Sequence, residues 1–391
     1  MEGEISIENQ GGVGIAKLTN SEENKKKESP LVIAVEKIIN TPIPLITDKE
    51  IIPPSGDKRD FVSLSPYWYR NENGELEVRD GEVNPEVKKY HDSDHLSQVE
   101  GNIYLTSLAV KDTENQSSKE RFSRYAVANI RTWFVDEGTR MTPSFEFAQM
   151  KQGETEGNFY GIIEGAGLVR VIEGVNALRE EELIDDETHE GVKQWFKDYL
   201  KWLRTSSKAI GNVNATNEKA RKGEKGMSNN HGTFYDVQVA YIADFLGDRD
   251  LVLETLNSAK ERIKDQILPD GEMPEESKRL GGSAESYEIF NLQAFSELAL
   301  LGQKYDVDLW NWKTEDGRGM RKAFEYFSNK LKAVGEMPFK FDRKGAMYEA
   351  FRAASVAYGN QEYWDLPTKY YLDPMVDEIS TKLFRTDELK V

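Results

Sequence analysis

The chain has 391 residues, 38% hydrophobic and 31% charged, a balance that suits a soluble globular protein with a sizeable core. Sixty-nine acidic residues against fifty-one basic ones leave a formal charge of −18, which argues against a general nucleic-acid or anionic-membrane binder, because neutralising phosphates needs a basic surface. The lack of cysteine excludes thiol nucleophiles, disulfides and cysteine-ligated zinc, and no window approaches the roughly 18 consecutive apolar residues of a membrane span.

Residues 1–29 are polar, and the run from Glu22 to Ser29 carries charge without apolar periodicity, so a flexible arm is expected there, with a single domain over 30–391. Met1-Glu2-Gly3-Glu4 has neither a basic start nor an apolar stretch behind it, and no signal peptide is expected. From Leu31 to Ile52 apolar residues return, broken by Pro42 and Pro44. The segment Pro53-Pro54-Ser55-Gly56-Asp57 then forces a turn into an extended aromatic stretch from Asp60 to Arg70. Asn73-Gly74 between short alternating stretches predicts a small hairpin or flap ending near Asp80-Gly81, suited to the lid of a cleft.

Beyond about residue 90 the chain becomes a succession of amphipathic stretches separated by Gly, Asn, Asp and Pro clusters, with almost no period-two alternation. Helices are predicted over 97–111, 119–135, 160–179, 190–205, 233–246, 248–264, 284–303, 317–333, 345–358 and 374–385. In the best marked of them Phe234, Val237, Tyr241, Ile242 and Phe245 form one apolar face, and Thr233 with Asp236 resembles a capping box. No fixed repeat length emerges. The simplest architecture is all-α: a toroid of helical hairpins, an incomplete barrel of about six or seven pairs, with a small extended N-terminal flap. Trp133, Trp195, Trp202 and Trp310 are expected to fill its core.

Two groups of residues have the makings of a site. His231 follows Ser228-Asn229-Asn230 directly ahead of the best-marked helix, where side-chain amides, an imidazole and unpaired helix N–H groups meet. Such a corner binds a carboxylate, and an imidazole at the positive end of a helix is suited to accept a proton; the plainer alternative is an Asn-rich turn with a capping histidine. Downstream, Arg279 and Tyr287 flank the loop that contains Gly281-Gly282. An arginine beside a tyrosine favours proton exchange by the phenol and neutralises a substrate carboxylate; the alternative is a surface arginine and a core tyrosine. Asp92, Asp94 and His95 read as helix caps, since no second His/Asp cluster completes a metal site, and neither a metal nor a cofactor is expected.

Several segments, in order, resemble the alginate-lyase domain of polysaccharide lyases, families five and thirty-eight and their relatives. Residues 53–61, PPSGDKRDF, and 65–69, SPYWY, are similar to the family's PPSGDKHDY and PYWWPDP, and residues 79–86, RDGEVNPE, to its RRDGxxNPE. Trp133-Phe134 is similar to its WF, residues 139–149, TRMTPSFEFAQ, to its TRMNPNLEYAQ, and residues 229–233 match its NNHGT core. Arg279, Tyr287, Phe290-Asn291-Leu292 and Val307-Asp308-Leu309-Trp310 continue a match that runs from about residue 31 to 335.

The resemblance implies an (α/α) toroid, eliminative cleavage of polyuronates, and active-site roles for Asn230, His231, Arg279 and Tyr287. Removing the C5 proton of a uronate leaves charge on the adjacent carboxylate, so Asn230, His231 and Arg279 placed there would stabilise the enolate-like state over the ground state. Tyr287 would donate to the leaving O4. Where the C5 proton and O4 share a face, as in mannuronate or glucuronate, one tyrosine serves as base and then acid; for guluronate His231 is the better-placed base. Lys58, Arg59, Tyr67, Trp68, Tyr69 and Arg70 are expected to line subsites, joined from their motifs by Asn229, Arg140 and Gln149. The implied partner is an anionic polysaccharide or oligosaccharide, and the implied location is periplasmic or secreted. Lys58-Arg59 departs from the family's Lys-His, Tyr69-Arg70 from its second Trp and PDP, and the spacing from Arg279 to Tyr287 is longer than usual by about two residues. The rivals are a glycoside hydrolase on a similar toroid, needing two carboxylates such as Glu146 and Asp236 across a cleft, and a non-catalytic polyuronate-binding protein.

Overall fold

The computed structural model describes residues 29–215, 217–280, 284–334, 343–371 and 373–384. The expected arm, apart from Ser29, and the Gly281-Gly282 insertion lie outside the described residues. In chain order the first elements are α1 (Pro30–Ile38), β1 (Val62–Leu64), β2 (Trp68–Arg70), β3 (Leu76–Val78), α2 (Asp92–Asp112), α3 (Gln116–Ile130) and β4 (Phe147–Met150). There follow α4 (Leu168–Glu180), α5 (Asp186–Thr205), α6 (Ser207–Ile210), α7 (Glu218–Lys222), α8 (Asn230–Leu246), α9 (Arg249–Gln266) and α10 (Pro274–Ser277). The chain continues with α11 (Ala284–Lys304), α12 (Met320–Val334), α13 (Lys344–Tyr358), α14 (Gln361–Tyr370) and α15 (Pro374–Phe384).

Apolar stripes dictate how these helices meet. In α5, Val192, Trp195, Phe196, Tyr199, Leu200 and Leu203 recur at helical spacing and are buried, while Asp185 caps the start by accepting the Thr188 N–H at 2.8 Å. Each such aliphatic or Phe side chain contributes about 1.5–3 kcal/mol on burial. Helices α2, α4, α8, α11 and α13 stand side by side as an inner ring, with α3, α5, α9, α12 and α14 packed outside them. The gap between α13 and α2 is filled by α15 and α1, which also pack on each other. There the Leu31 N–H donates to Glu378 at 3.0 Å, and Lys382 pairs with both Asp112 and Glu378, at 2.6 and 2.8 Å. The result is the toroid of helical hairpins that the amphipathic pattern predicts. Trp133, Trp195 and Trp310 are buried as expected, and Trp202 is half-buried against the core.

The flap also forms: β2 and β3 pair antiparallel, with Trp68 opposite Val78 and Arg70 opposite Leu76, around a turn in which Gly74 takes φ +80°. Five features differ from the sequence reading. Helix α1 is capped by Ser29 and has Pro30 at its first position, but its nine residues are too few to stand out ahead of Pro42 and Pro44. Helix α14 contains Pro367, the residue type that normally ends one. Strand β4 pairs in parallel with β1; its four residues include Gln149 at φ +48°, so no alternation marks it. The capping box at Thr233 and Asp236 is absent, because α8 starts three residues earlier: Thr233 lies inside it and bonds to Gln266 at 3.1 Å, and Asp236 pairs with Arg262. Asp92 caps nothing either. Its buried carboxylate pairs with Lys49 and accepts the Val62 N–H at 2.9 Å, joining β1 to α2.

Candidate active site

The first turn of α8 places Asn230 and His231 at the mouth of the ring. His231 keeps a little exposure, and its Nδ1 lies 2.8 Å from Oε1 of Glu224, a carboxyl buried completely. Burial pushes the Glu224 carboxyl up, with the adjacent His231 acting in the opposite sense. Asn230 is wholly buried: its amide donates to both oxygens of Glu276 at 2.9 Å, and its backbone N–H donates to Oε1 at 2.6 Å. Burial raises the Glu276 carboxyl too, against the pull of these hydrogen bonds. Asn229 is the N-cap, but its side chain makes no capping bond. Gly232 is required at the next position, since a Cβ there would strike the Met227 carbonyl and the Arg262 guanidinium.

Arg279 and Tyr287 come together from the end of the α10 turn and the first turn of α11. The Arg279 guanidinium lies over the Tyr287 ring, 4.0 Å from its centroid, and pairs with Asp80 of the flap through Nε at 3.1 Å and Nη2 at 2.8 Å. Burial works to raise the Asp80 carboxyl, but its bonds and charge contact with Arg279 outweigh that and hold it below the usual range. Tyr287 and Tyr67 share a hydrogen bond of 2.7 Å between hydroxyls. Burial, together with the neighbouring Tyr287, drives the Tyr67 phenol up from its ordinary value. Tyr160 neighbours Trp68 of the flap, and its ring meets His231 edge-on at 6.1 Å between centroids. Glu276 feels the charges of both Arg279 and His231. The four expected residues therefore surround one corner, with Tyr67 and Trp68 closing it from the flap.

Other expected subsite residues are occupied elsewhere. Arg59 is held by Asp57 at 2.7 Å and by the Glu137 carbonyl, and Arg70 ties the flap to the Gln152 carbonyl at 2.6 Å. Tyr69 lies under the Arg79 guanidinium, and the Trp68 ring carries Lys151 at 4.1 Å. Lys58 and Arg140 are exposed, and Gln149, in a strained backbone position, donates its backbone N–H to the Ser63 hydroxyl at 2.8 Å. Glu146 and Asp236 are paired with Lys208 and Arg262. The sequence reading missed Glu224, Glu276, Asp80 and Arg343. Arg343, at the N-cap of α13, lies 3.6 Å over the Phe290 ring and 5.5 Å from that of Tyr287. Glu224 sits in a Gly-Glu-Lys-Gly run that looks like a solvated loop, so nothing local distinguishes it.

Beside this corner, on the ring axis, lies a cavity of about 580 Å³ lined by Glu100, Glu164, Arg170, Glu297, Arg343 and Glu349 among others. Burial pushes the Glu100 carboxyl up to about 8 and that of Glu164 to about 7, the latter against bonds from Ser63 and Ser93.

A ring of helical hairpins around such a corner marks the chain as a polysaccharide lyase. It belongs to the alginate lyase family, whose sequence model matches residues 45–336; that family cleaves polyuronates by β-elimination. A crystal structure of an alginate lyase from Bacteroides ovatus superposes with a TM-score of 0.78 at 24% identity, over 91% of this chain and 92% of that one. A variant of alginate lyase A1-III complexed with a tetrasaccharide gives 0.53 at 12% identity, over 90% and 94%. Alginate lyase A1-III from Sphingomonas species A1 gives 0.52 at 12%, over 88% and 92%. At these identities the likeness establishes the fold. No curated protein matches the chain.

Proposed function

We propose that the chain cleaves the 4-O-glycosidic bonds of alginate-like, mannuronate-containing polymers or of glucuronan-like polymers, leaving unsaturated uronate ends. The observation that carries this reading is the Tyr287 phenol held under Arg279 with its hydroxyl on Tyr67. Asp80 takes the Nε–Nη2 edge of Arg279, leaving Nη1 for the substrate carboxylate as charge builds on it after C5 deprotonation. Tyr287, acting as a phenolate beside the Arg279 guanidinium, takes the C5 proton where it shares a face with O4, and the phenol so formed gives that proton to O4 as the C4–O4 bond breaks. For the opposite-face proton of guluronate, His231 is the base. Asn230, buried and committed to Glu276, serves by fixing the start of α8. The flap ring of Tyr67 supplies an apolar edge to the sugar beside Tyr287, and a tetrasaccharide complex of A1-III supports an oligouronate as the ligand of this cleft.

The test is ultraviolet absorbance of unsaturated product over time with polymannuronate, polyguluronate, glucuronan and hyaluronan offered separately, for the wild type and Tyr287→Phe. A rise on polymannuronate or glucuronan that the substitution abolishes supports the reading. Tight binding to one polymer without any rise promotes the binding-protein alternative, and a new reducing end without a double bond promotes the hydrolase.

A further inference from the structure

The reading of His231 as a base leaves open what decides which ring nitrogen faces the substrate. We propose that Glu224 is a positioning residue: it accepts the Nδ1–H of His231, so that the unprotonated Nε2 is the nitrogen presented to the cleft. The inference rests on the lyase reading for its catalytic consequence, but not for the tautomer itself.

The geometry around Glu224 is that of a fixed support. Its Oε1 lies 2.8 Å from Nδ1, while Oε2 is buried without a hydrogen-bond partner among the described residues. An acidic side chain buried on a single contact costs stability, and such groups concentrate where they serve a site. The backbone holds it rigidly. The Glu224 N–H donates to the Lys208 carbonyl at 3.0 Å and the Lys225 N–H to the Ala209 carbonyl at 2.9 Å, strapping this loop to the α6 turn. Gly223, at φ +63°, and Gly211, at φ +95°, pass so close that a Cβ on either would strike the other strand of the strap. From the opposite side Arg262 donates to the carbonyls of Met227 at 2.9 Å and Lys225 at 2.7 Å while pairing with Asp236 inside α8. Arg262 thereby couples the Glu224 loop to the helix that carries His231. An ionised carboxylate has no proton to donate, so on this proposal the Glu224 oxygen accepts and the neutral ring facing it carries its proton on Nδ1.

The chemical step then balances. Nε2 takes the C5 proton of a uronate whose proton lies opposite O4, and the resulting imidazolium keeps its Nδ1–H on Glu224. Electrons from the C5–H bond form the C4–C5 double bond as the C4–O4 bond breaks, and Tyr287 supplies the proton that O4 takes away.

The chain has four histidines, so its imidazole resonances can be assigned with His231→Ala as reference. Nitrogen-15 NMR of the full chain should show His231 as the Nδ1–H tautomer in the wild type and a loss of that preference in Glu224→Ala. Glu224→Gln, which keeps an accepting oxygen at the same place, should restore it in part. On polyguluronate, Glu224→Ala should lower kcat about 10²-fold with KM within about twofold, and Glu224→Gln should lie between. A wild-type His231 in the Nε2–H form overturns the proposal, as does an unchanged tautomer and unchanged kcat in a folded Glu224→Ala protein. If the wild type cleaves no polyuronate, the lyase reading fails, while the tautomer measurement still decides the role of Glu224.

Discussion

The two halves of the active-site corner are built in different ways. Around the start of α8, Asn230 and His231 are held by Glu276 and Glu224, buried groups belonging to the helical scaffold itself. Arg279 and Tyr287 are held instead from across the cleft, by Asp80 and Tyr67 of a two-stranded flap about 200 residues earlier in the chain. The first half is complete whenever the ring is folded. The second depends on the flap's contacts as well, so perturbing the flap should damage one half and spare the other.

The largest effect that separates the halves is expected from Tyr287→Phe, which removes the hydroxyl that exchanges protons while leaving the ring under Arg279. A loss of about 10²–10⁴ in kcat on same-face substrates, with KM little changed, is expected in steady-state absorbance assays. Asp80→Asn keeps the shape of the flap but weakens its hold on Arg279. It should cost about tenfold in kcat/KM and leave the His231 imidazole resonances where they are in the wild type. Gly232→Ala attacks the scaffold half: its methyl displaces the Met227 carbonyl or Arg262, and chemical denaturation should show a loss of about 1–3 kcal/mol. The smallest effect is one of pH. Burial raises the Glu100 carboxyl to about 8 and the Glu164 carboxyl to about 7, so both bind more protons folded than unfolded. Their contribution is fully present below the unfolded value near 4.5 and is lost as pH rises through about 7–8. Tm should therefore fall by a few degrees between about pH 5.5 and 8, and Glu100→Gln should flatten that slope.

Much of this was legible because it is local. The stripe of Val192, Trp195, Phe196, Tyr199 and Leu203 announces an inner-facing helix, Asn73-Gly74 announces the flap turn, and Asn230-His231 stands out as a polar corner before an apolar run. What escaped depends on distant pairing. Nothing in the neighbourhood of Glu224 or Glu276 distinguishes them from the other acidic residues of the chain, and the motif around Asp80 does not reveal its partner Arg279; only the fold brings each within hydrogen-bond reach of a site residue. Strand β4 escaped for the same reason, since its pairing is supplied by β1 rather than by an alternation of its own. The start of α8 was misplaced because Asn229-Asn230 carries the polarity of a loop, whereas the Glu276 carboxylate provides the acceptor that lets the first helical turn form there.

The axial cavity changes how the acidity of the chain is to be counted. A formal charge of −18 treats every carboxyl as an anion. Inside the ring, however, Glu100 is raised to about 8 and Glu164 and Glu173 to about 7, and Glu297 is driven well above its ordinary value by burial and by neighbouring glutamates. Burial thus favours the uncharged form of these carboxyls, which stand beside Arg170 and Arg343. Electrophoretic mobility should accordingly report a smaller negative charge than the composition does. A polyanion approaching the mouth of the ring therefore meets less repulsion there than the composition alone implies.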